Sequence, residues 1–321
     1  MHIGLRMQRR GAGIVAALAS AGLLGFTPVL GKLAINLGIS PLGVVAWRTG
    51  LAALLILLVV LAFFRPFLYI FSAGLYGCAL AGFINGAGSL LYYLALDHLD
   101  AGVGQMVYSF YPFFLALWLA LDGQPLGWLT FVRILIAALG IALLTTFNPG
   151  GIELLGVVMM LGAAALYALH LPINQRVLYE VPAPTVTLYT LLAMSAVVVP
   201  AYLLFDPHPS AQAATNWPVI GLTIVTSLAR LTLFFGVKRI GGMQTALLGL
   251  AELLVAVLLS RMWLQESLSA YQWLGALALA ISLVLVRYER PQPRHMGERR
   301  GWFAWIRPPA IPRDAPWAPH E

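Results

Sequence analysis

Glu252 is the side chain whose chemistry is hardest to reconcile with its neighbours. It stands near the middle of the apolar run from Met243 to Trp263, flanked by Leu, Val and Ala. A carboxylate in such a run is costly unless it is neutral, paired or facing water. It therefore binds a ligand's amino group, carries a proton, or is locked to a structural partner. Arg230 is a partner within reach. The two flanking runs turn near Arg239, which leaves Arg230 and Glu252 within about one helical turn of the same depth at ~1.5 Å rise per residue.

Other polar groups interrupt apolar runs in the same way. Arg133 and Arg230 lie about nine residues from a turn, so each either snorkels to the interface or offers its planar fork to a cargo carboxylate. Lys32 and Arg48 flank the turn near Ser40 and suit either a positively charged vestibule or snorkelling. Asn85, Tyr108, Tyr111, His170 and Gln244, with Tyr92, Tyr93, Gln105 and Asn174, bring hydrogen-bonding groups into the runs. Lipid cannot satisfy them, so they face the interior, where a polar cavity and a helix-to-helix hydrogen-bond network call for the same residues. His170 would also make such a cavity sensitive to pH.

What could hold these groups is bounded by composition. The chain has 321 residues, 60% hydrophobic and 10% charged, where a soluble domain carries about 25% charged. The formal net charge of +7 does not mark a nucleic-acid binder, because the basic residues sit between and after apolar runs and form no stripe with exposed aromatics. The single cysteine, Cys78, excludes an intramolecular disulfide and a Cys-based zinc site. Neither a Walker loop, a His-Glu-x-x-His helix nor a Gly-x-Ser-x-Gly turn is present, so no metal or cofactor is expected. The absence of these motifs also weighs against an intramembrane lipid-modifying enzyme. No ring-forming filter repeat supports a channel.

Charges, prolines and polar clusters bound ten apolar spans, near residues 13–35, 43–64, 69–95, 102–121, 127–147, 153–178, 184–205, 217–236, 243–263 and 269–287. The start imitates a signal peptide at Ala17-Leu18-Ala19, but the apolar pattern continues into Pro28 and Lys32, so it reads as the first span. Lys and Arg set the orientation. Arg6, Arg9, Arg10, Arg65, Arg176, Lys238, Arg239 and seven arginines from Arg287 to Arg313 fall on one side, against Lys32, Arg48 and Arg261 on the other. Both termini are then cytoplasmic, in a bacterial-type inner membrane.

Sliding the chain by 141 residues sets Leu99-Asp100-Ala101-Gly102 beside Ile240-Gly241-Gly242-Met243. Five spans per half force the two copies into opposite orientations. The expected architecture is all-α: a short N-terminus (1–12), a first repeat (13–147), a second inverted repeat (148–288) around a central cavity, and a basic, Pro-rich tail (289–321). Gly74, Cys78, Gly82 and Gly86 lay a row of small residues along the third span that permits close helix approach. Pro28, Pro112 and Pro172 make kinks in their spans.

The stretch Gly25-Phe26-Thr27-Pro28-Val29-Leu30-Gly31-Lys32, followed by Pro41-Leu42 and Arg48, resembles the first two helices of EamA-like members of the drug/metabolite transporter superfamily. Lys238-Arg239-Ile240-Gly241-Gly242, Glu252, and Leu264-Gln265-Glu266-Ser267-Leu268 resemble that family's second repeat. The likeness runs over roughly residues 12–287. It implies ten helices, a central cavity and transport of metabolites such as amino acids, often outward. Two departures keep a particular substrate from being carried over: Asp122-Gly123-Gln124-Pro125 replaces a Gly-Glu-Arg-type turn, and Leu253 replaces a proline. The expected function is secondary transport of a small polar, amino-acid-like metabolite by alternating access. Its energy would come from the cargo's own gradient or from coupled protons or other ions.

Overall fold

In hydrocarbon a backbone N–H or C=O has no water to bond to and a helix satisfies both within one segment, and the apolar runs of this chain are helical accordingly. The computed structural model describes residues 2–122, 127–145, 153–206 and 211–265, with isolated positions between 274 and 285. Among these residues there is no strand. The elements are α1 (His2–Leu24), α2 (Phe26–Asn36), α3 (Pro41–Phe63), α4 (Ser72–His98), α5 (Ala101–Tyr108), α6 (Tyr111–Leu121), α7 (Trp128–Thr145), α8 (Leu154–Val177), α9 (Ala183–Phe205), α10 (Trp217–Ile240), α11 (Gly242–Gly249) and α12 (Ala251–Trp263).

Eight stretches among the described residues are long and apolar enough to cross a membrane: Arg10–Asn36, Pro41–Phe63, Ser72–His98, Ala101–Leu121, Leu154–Val177, Ala183–Phe205, Trp217–Ile240 and Gly242–Trp263. They fall within a few residues of the first four and the sixth to ninth expected spans. The fifth expected span coincides with α7. The tenth, 269–287, is described only at those isolated positions, and the tail, 289–321, and the side chain of Arg133 lie outside the described residues.

Successive spans alternate in direction, so their ends gather at two ends of one bundle. At the end where α1 begins, Arg176 of α8 pairs with Asp122 after α6 at 2.6 Å, Lys238 donates to the Val181 carbonyl, and Thr185 donates to that of Phe67. The tight α10–α11 turn at this end passes through Gly241 at φ +88°, a conformation that favours glycine. Gln175 accepts the Gly242 N–H there. At the opposite end Ser40 donates to Asp206, and Lys32 caps α4 by donating to the Leu96 and Leu99 carbonyls at 2.7 and 3.0 Å.

Inside, α4 packs on α8 and α9, α1 on α10, and α3 on α9 and α10; α5 lies against α8 and α12, and α11 against α1 and α6. The small-residue row makes the α4 contacts possible. A Cβ on Gly82 would fall 2.5 Å from Ala193 Cβ and 2.6 Å from the Thr190 carbonyl oxygen, which is backbone contact across the α4–α9 seam. Large apolar side chains such as Leu58, Phe63, Tyr76, Phe83, Phe113 and Leu203 point outward, as a lipid-facing surface requires.

Because the atoms against Gly82 are backbone or a Cβ fixed to it and cannot rotate away, Gly82→Ala should destabilise the α4–α9 seam by about 1–3 kcal/mol. Gly22→Ala, where nothing lies within 4 Å, should be neutral. Thermal unfolding of the two purified variants in the same detergent separates these outcomes.

Candidate functional site

Three spans break near mid-membrane, and the breaks converge. The first span turns at Gly25, where Pro28 has no N–H to offer the Leu24 carbonyl. The fourth turns at Ser109 and Phe110, just before Pro112, which begins α6 at a position proline tolerates. The ninth turns at Leu250. Gly25 rests on the start of α12, since a Cβ there would lie 2.6 Å from Val255 and 3.0 Å from the Glu252 carbonyl oxygen.

The ninth-span break has a different cause from the other two, for no proline lies near it. The Tyr111 hydroxyl, first residue of α6, donates to the Ala246 carbonyl at 2.8 Å. In an unbroken helix the Leu250 N–H would hold that carbonyl. The hydroxyl lies over Gly249, at a place a Cβ would occupy. A tyrosine of one broken span thus holds the carbonyl that the bend in another leaves free.

Glu252, in the first turn of α12 and only 4% exposed, accepts a hydrogen bond from Gln105 Nε2 at 2.9 Å. The side-chain amide oxygen of Gln105, Oε1, in turn accepts from the Tyr92 hydroxyl at 3.0 Å. This relay joins α4, α5 and α12. The expected Glu252–Arg230 ion pair is not formed: Gln105 holds the carboxyl, and Arg230 bonds elsewhere.

Arg230 is buried in the middle of α10, so it does not snorkel. Its Nη1 donates to His170 Nε2 at 3.3 Å, and its guanidinium lies 5.8 Å from the Tyr167 ring centroid. Since arginine can only donate, His170 accepts at Nε2, and Nδ1–H is left to donate to the Tyr167 carbonyl. This is the neutral ring with the proton on Nδ1. Tyr108 stands at the centre of an aromatic group, 4.9 Å from Tyr92, 5.4 Å from Tyr167 and 5.8 Å from Tyr111 between ring centroids. Tyr111, Tyr167, Leu171, Thr245, Gly249 and Glu252 line a cavity of about 10 Å³, room for roughly one water.

The structure thus brings together Glu252, Arg230, Tyr108, Tyr111 and His170. Others lie apart. Asn85 donates to the Met194 sulfur at 2.9 Å within the α4–α9 seam, a packing role. Gln244 sits in the first turn of α11, about two turns from Glu252. Lys32 is the cap of α4 described above. Arg48, expected near an interface, is instead buried between α3, α4 and α10, where Thr226 and Ser89 accept from it at 3.1 and 3.4 Å. Among the described residues no cluster of His, Cys, Asp and Glu has the makings of a metal site.

Gln105 and Tyr92 carry more of the site than their types suggest, and Tyr167 is an addition of the structure. One signal pointed to Tyr167: it shares a helix face with His170, three residues on.

The sequence pattern of the EamA-like transporter family matches this chain twice, over residues 11–146 and 154–288, and the chain belongs to that family. An uncharacterized transporter of Synechocystis is 26% identical over 234 residues, covering 68% of this chain and 67% of the relative. An uncharacterized inner membrane transporter of Salmonella typhimurium, YicL, is 23% identical over 202 residues, covering 61% of this chain and 67% of its own length. A solved crystal structure shares the fold at TM-score 0.69 and 18% identity, covering 87% of this chain and 99% of that one.

If the Tyr111 hydroxyl sustains the bend, Tyr111→Phe should cost about 1 kcal/mol of stability, the typical worth of one hydrogen bond. Gly249→Ala should cost more, because its Cβ meets the hydroxyl. Combined, the two should be non-additive by about 0.5–3 kcal/mol, the second change being milder once the hydroxyl is gone. Strict additivity in a thermal-unfolding double-mutant cycle would separate the tyrosine from the bend.

Proposed function

We propose that this member of the EamA-like transporter family is a secondary carrier that moves a small polar, amino-acid-like metabolite across a bacterial inner membrane by alternating access. The observation that carries the reading is the pair of broken spans. The fourth and the ninth begin at Ala101 and Gly242, 141 residues apart, and each yields an eight-residue helix before its break. Discontinuous helices in corresponding positions of two halves mark the cargo site in carriers built from repeats. Here Gln105 and Glu252, and Tyr111 and Ala246, tie the two together.

Ten spans in two inverted repeats, 13–147 and 148–288, fit this reading. The packing supports it by pairing α4 with α8 as α1 pairs with α10, and α5 with α12 as α11 pairs with α6. Both ends of the bundle are held by contacts between the halves, Asp122–Arg176 at one and Ser40–Asp206 at the other. The structure then corresponds to an occluded state, and each end opens by releasing its own contacts. Glu252 either receives the cargo's amino group or exchanges a proton as it leaves Gln105. Net flux is outward, as the family resemblance implies, with the N- and C-termini cytoplasmic.

Counterflow in proteoliposomes tests the carrier. Saturable exchange of labelled metabolite is expected, lost in Glu252→Gln although the protein remains folded; product formation or ohmic current would overturn it. Orientation is tested in a Cys78→Ala background. A cysteine at exposed Gln212 should react with an impermeant maleimide from outside, and one at exposed Arg65 only from the cytoplasm. Labelling of both from one side would break the inverted arrangement.

A further inference from the structure

The described spans bury two guanidinium groups near mid-bundle, Arg48 and Arg230, against one carboxyl group there, Glu252. The ion pair of Asp122 with Arg176 lies at the end of the bundle. Glu252 is occupied by Gln105, and among the described residues neither guanidinium has a carboxylate within ion-pairing distance. Arg230 has the acceptor nitrogen of His170. Arg48 has less.

Arg48 is 5% exposed and is held by two neutral hydroxyls, Thr226 and Ser89, with its guanidinium 4.7 Å from the Tyr93 ring centroid. Among the described residues its Nε has no acceptor, and the Tyr93 hydroxyl, fully buried, has no partner. The Thr27 hydroxyl is likewise unpartnered. It stands one helical turn before Gly31, the glycine on which the Tyr93 ring rests. What surrounds Arg48 is thus a surplus of donors. Arginine can only donate, and a hydroxyl that accepts from it still has its own proton to give. A buried charge left in that condition is strongly unfavourable, and the group that relieves it is an oxyanion.

We propose that Arg48 is the seat of the cargo's carboxylate, with Ser89, Thr226 and Tyr93 as accompanying donors. Resting on the carrier reading, this makes a carboxylate the obligatory part of the cargo. It also separates the Arg48 subsite from Glu252, to which it connects only through the adjoining Tyr93 and Tyr92 rings, 5.4 Å apart, and Gln105. One anionic group balances the excess of one buried cation. An uncharged analogue of the same shape leaves the donor surplus in place and does not bind.

The test is thermal unfolding of the full chain in detergent with pyruvate, succinate, L-glutamate and L-phenylalanine, each against its uncharged amide at matched ionic strength. Sodium chloride and inorganic phosphate serve as further arms. At least one carboxylate should raise the melting temperature while its amide does not. Arg48→Gln should weaken that carboxylate about tenfold or more, the loss of a charge-assisted bond, and Arg48→Lys should weaken it less. Should Arg48→Gln not fold, Tyr93→Phe and Ser89→Ala, which leave the charge in place, should each weaken the same carboxylate several-fold. The proposal is overturned if no carboxylate stabilises, if acid and amide stabilise equally, if chloride or phosphate alone gives the full shift, or if the shift survives in Arg48→Gln. Counterflow keeps the two readings apart. Amides exchanging as fast as acids would leave the carrier standing and remove the carboxylate seat; carboxylate stabilisation without exchange would do the reverse.

Discussion

Hydrocarbon accepts no hydrogen bonds, and from that constraint the rest of this molecule follows. Each polar side chain that enters a span must meet its complement from another span, and the complement must arrive at the right depth. Gln105 reaches Glu252, Tyr92 reaches Gln105, and Tyr111 reaches the Ala246 carbonyl. Such bonds hold only while the helices are close, so the close approach allowed by Gly82 and Gly86 is a condition of the chemistry as well as of the packing. A chain of the same hydropathy without these small residues would still insert, but its polar groups would not find one another.

The same constraint explains the breaks. A bent transmembrane helix frees a carbonyl or an N–H, and each freed group needs a new owner. Proline removes a donor in the first and fourth spans, whereas in the ninth a hydroxyl from another span supplies one. The breaks therefore lie where the spans also exchange side-chain bonds.

Much of this fold was legible in the sequence, because hydropathy and charge report directly on what lipid will tolerate. Span limits, the close face of α4 and the burial of Glu252 follow from single residues and their spacing. Partners were not legible in the same way. Arg230 and Glu252 share a depth, yet depth does not fix rotation about the helix axis, and Gln105 occupies the place an ion pair would need. Nor does a proline announce its effect alone: Pro172 lies within an uninterrupted α8, while the ninth span bends without one. Lys32 and Arg48 look alike by position but part ways, the first meeting helix-end carbonyls and the second hydroxyls. Long-range neighbours decide each of these cases, and spacing along one helix does not encode them.

The hydroxyl of Tyr111 has a consequence for how the protein is made. Synthesis delivers α6 to the membrane well before α11, so the group that gives the later span its bend is already in place when that span arrives. The second half would enter the bilayer straighter if it were translated alone, and its contour is acquired only on docking. Expressing the halves as separate chains would thus make the shape of one a property of the encounter between them.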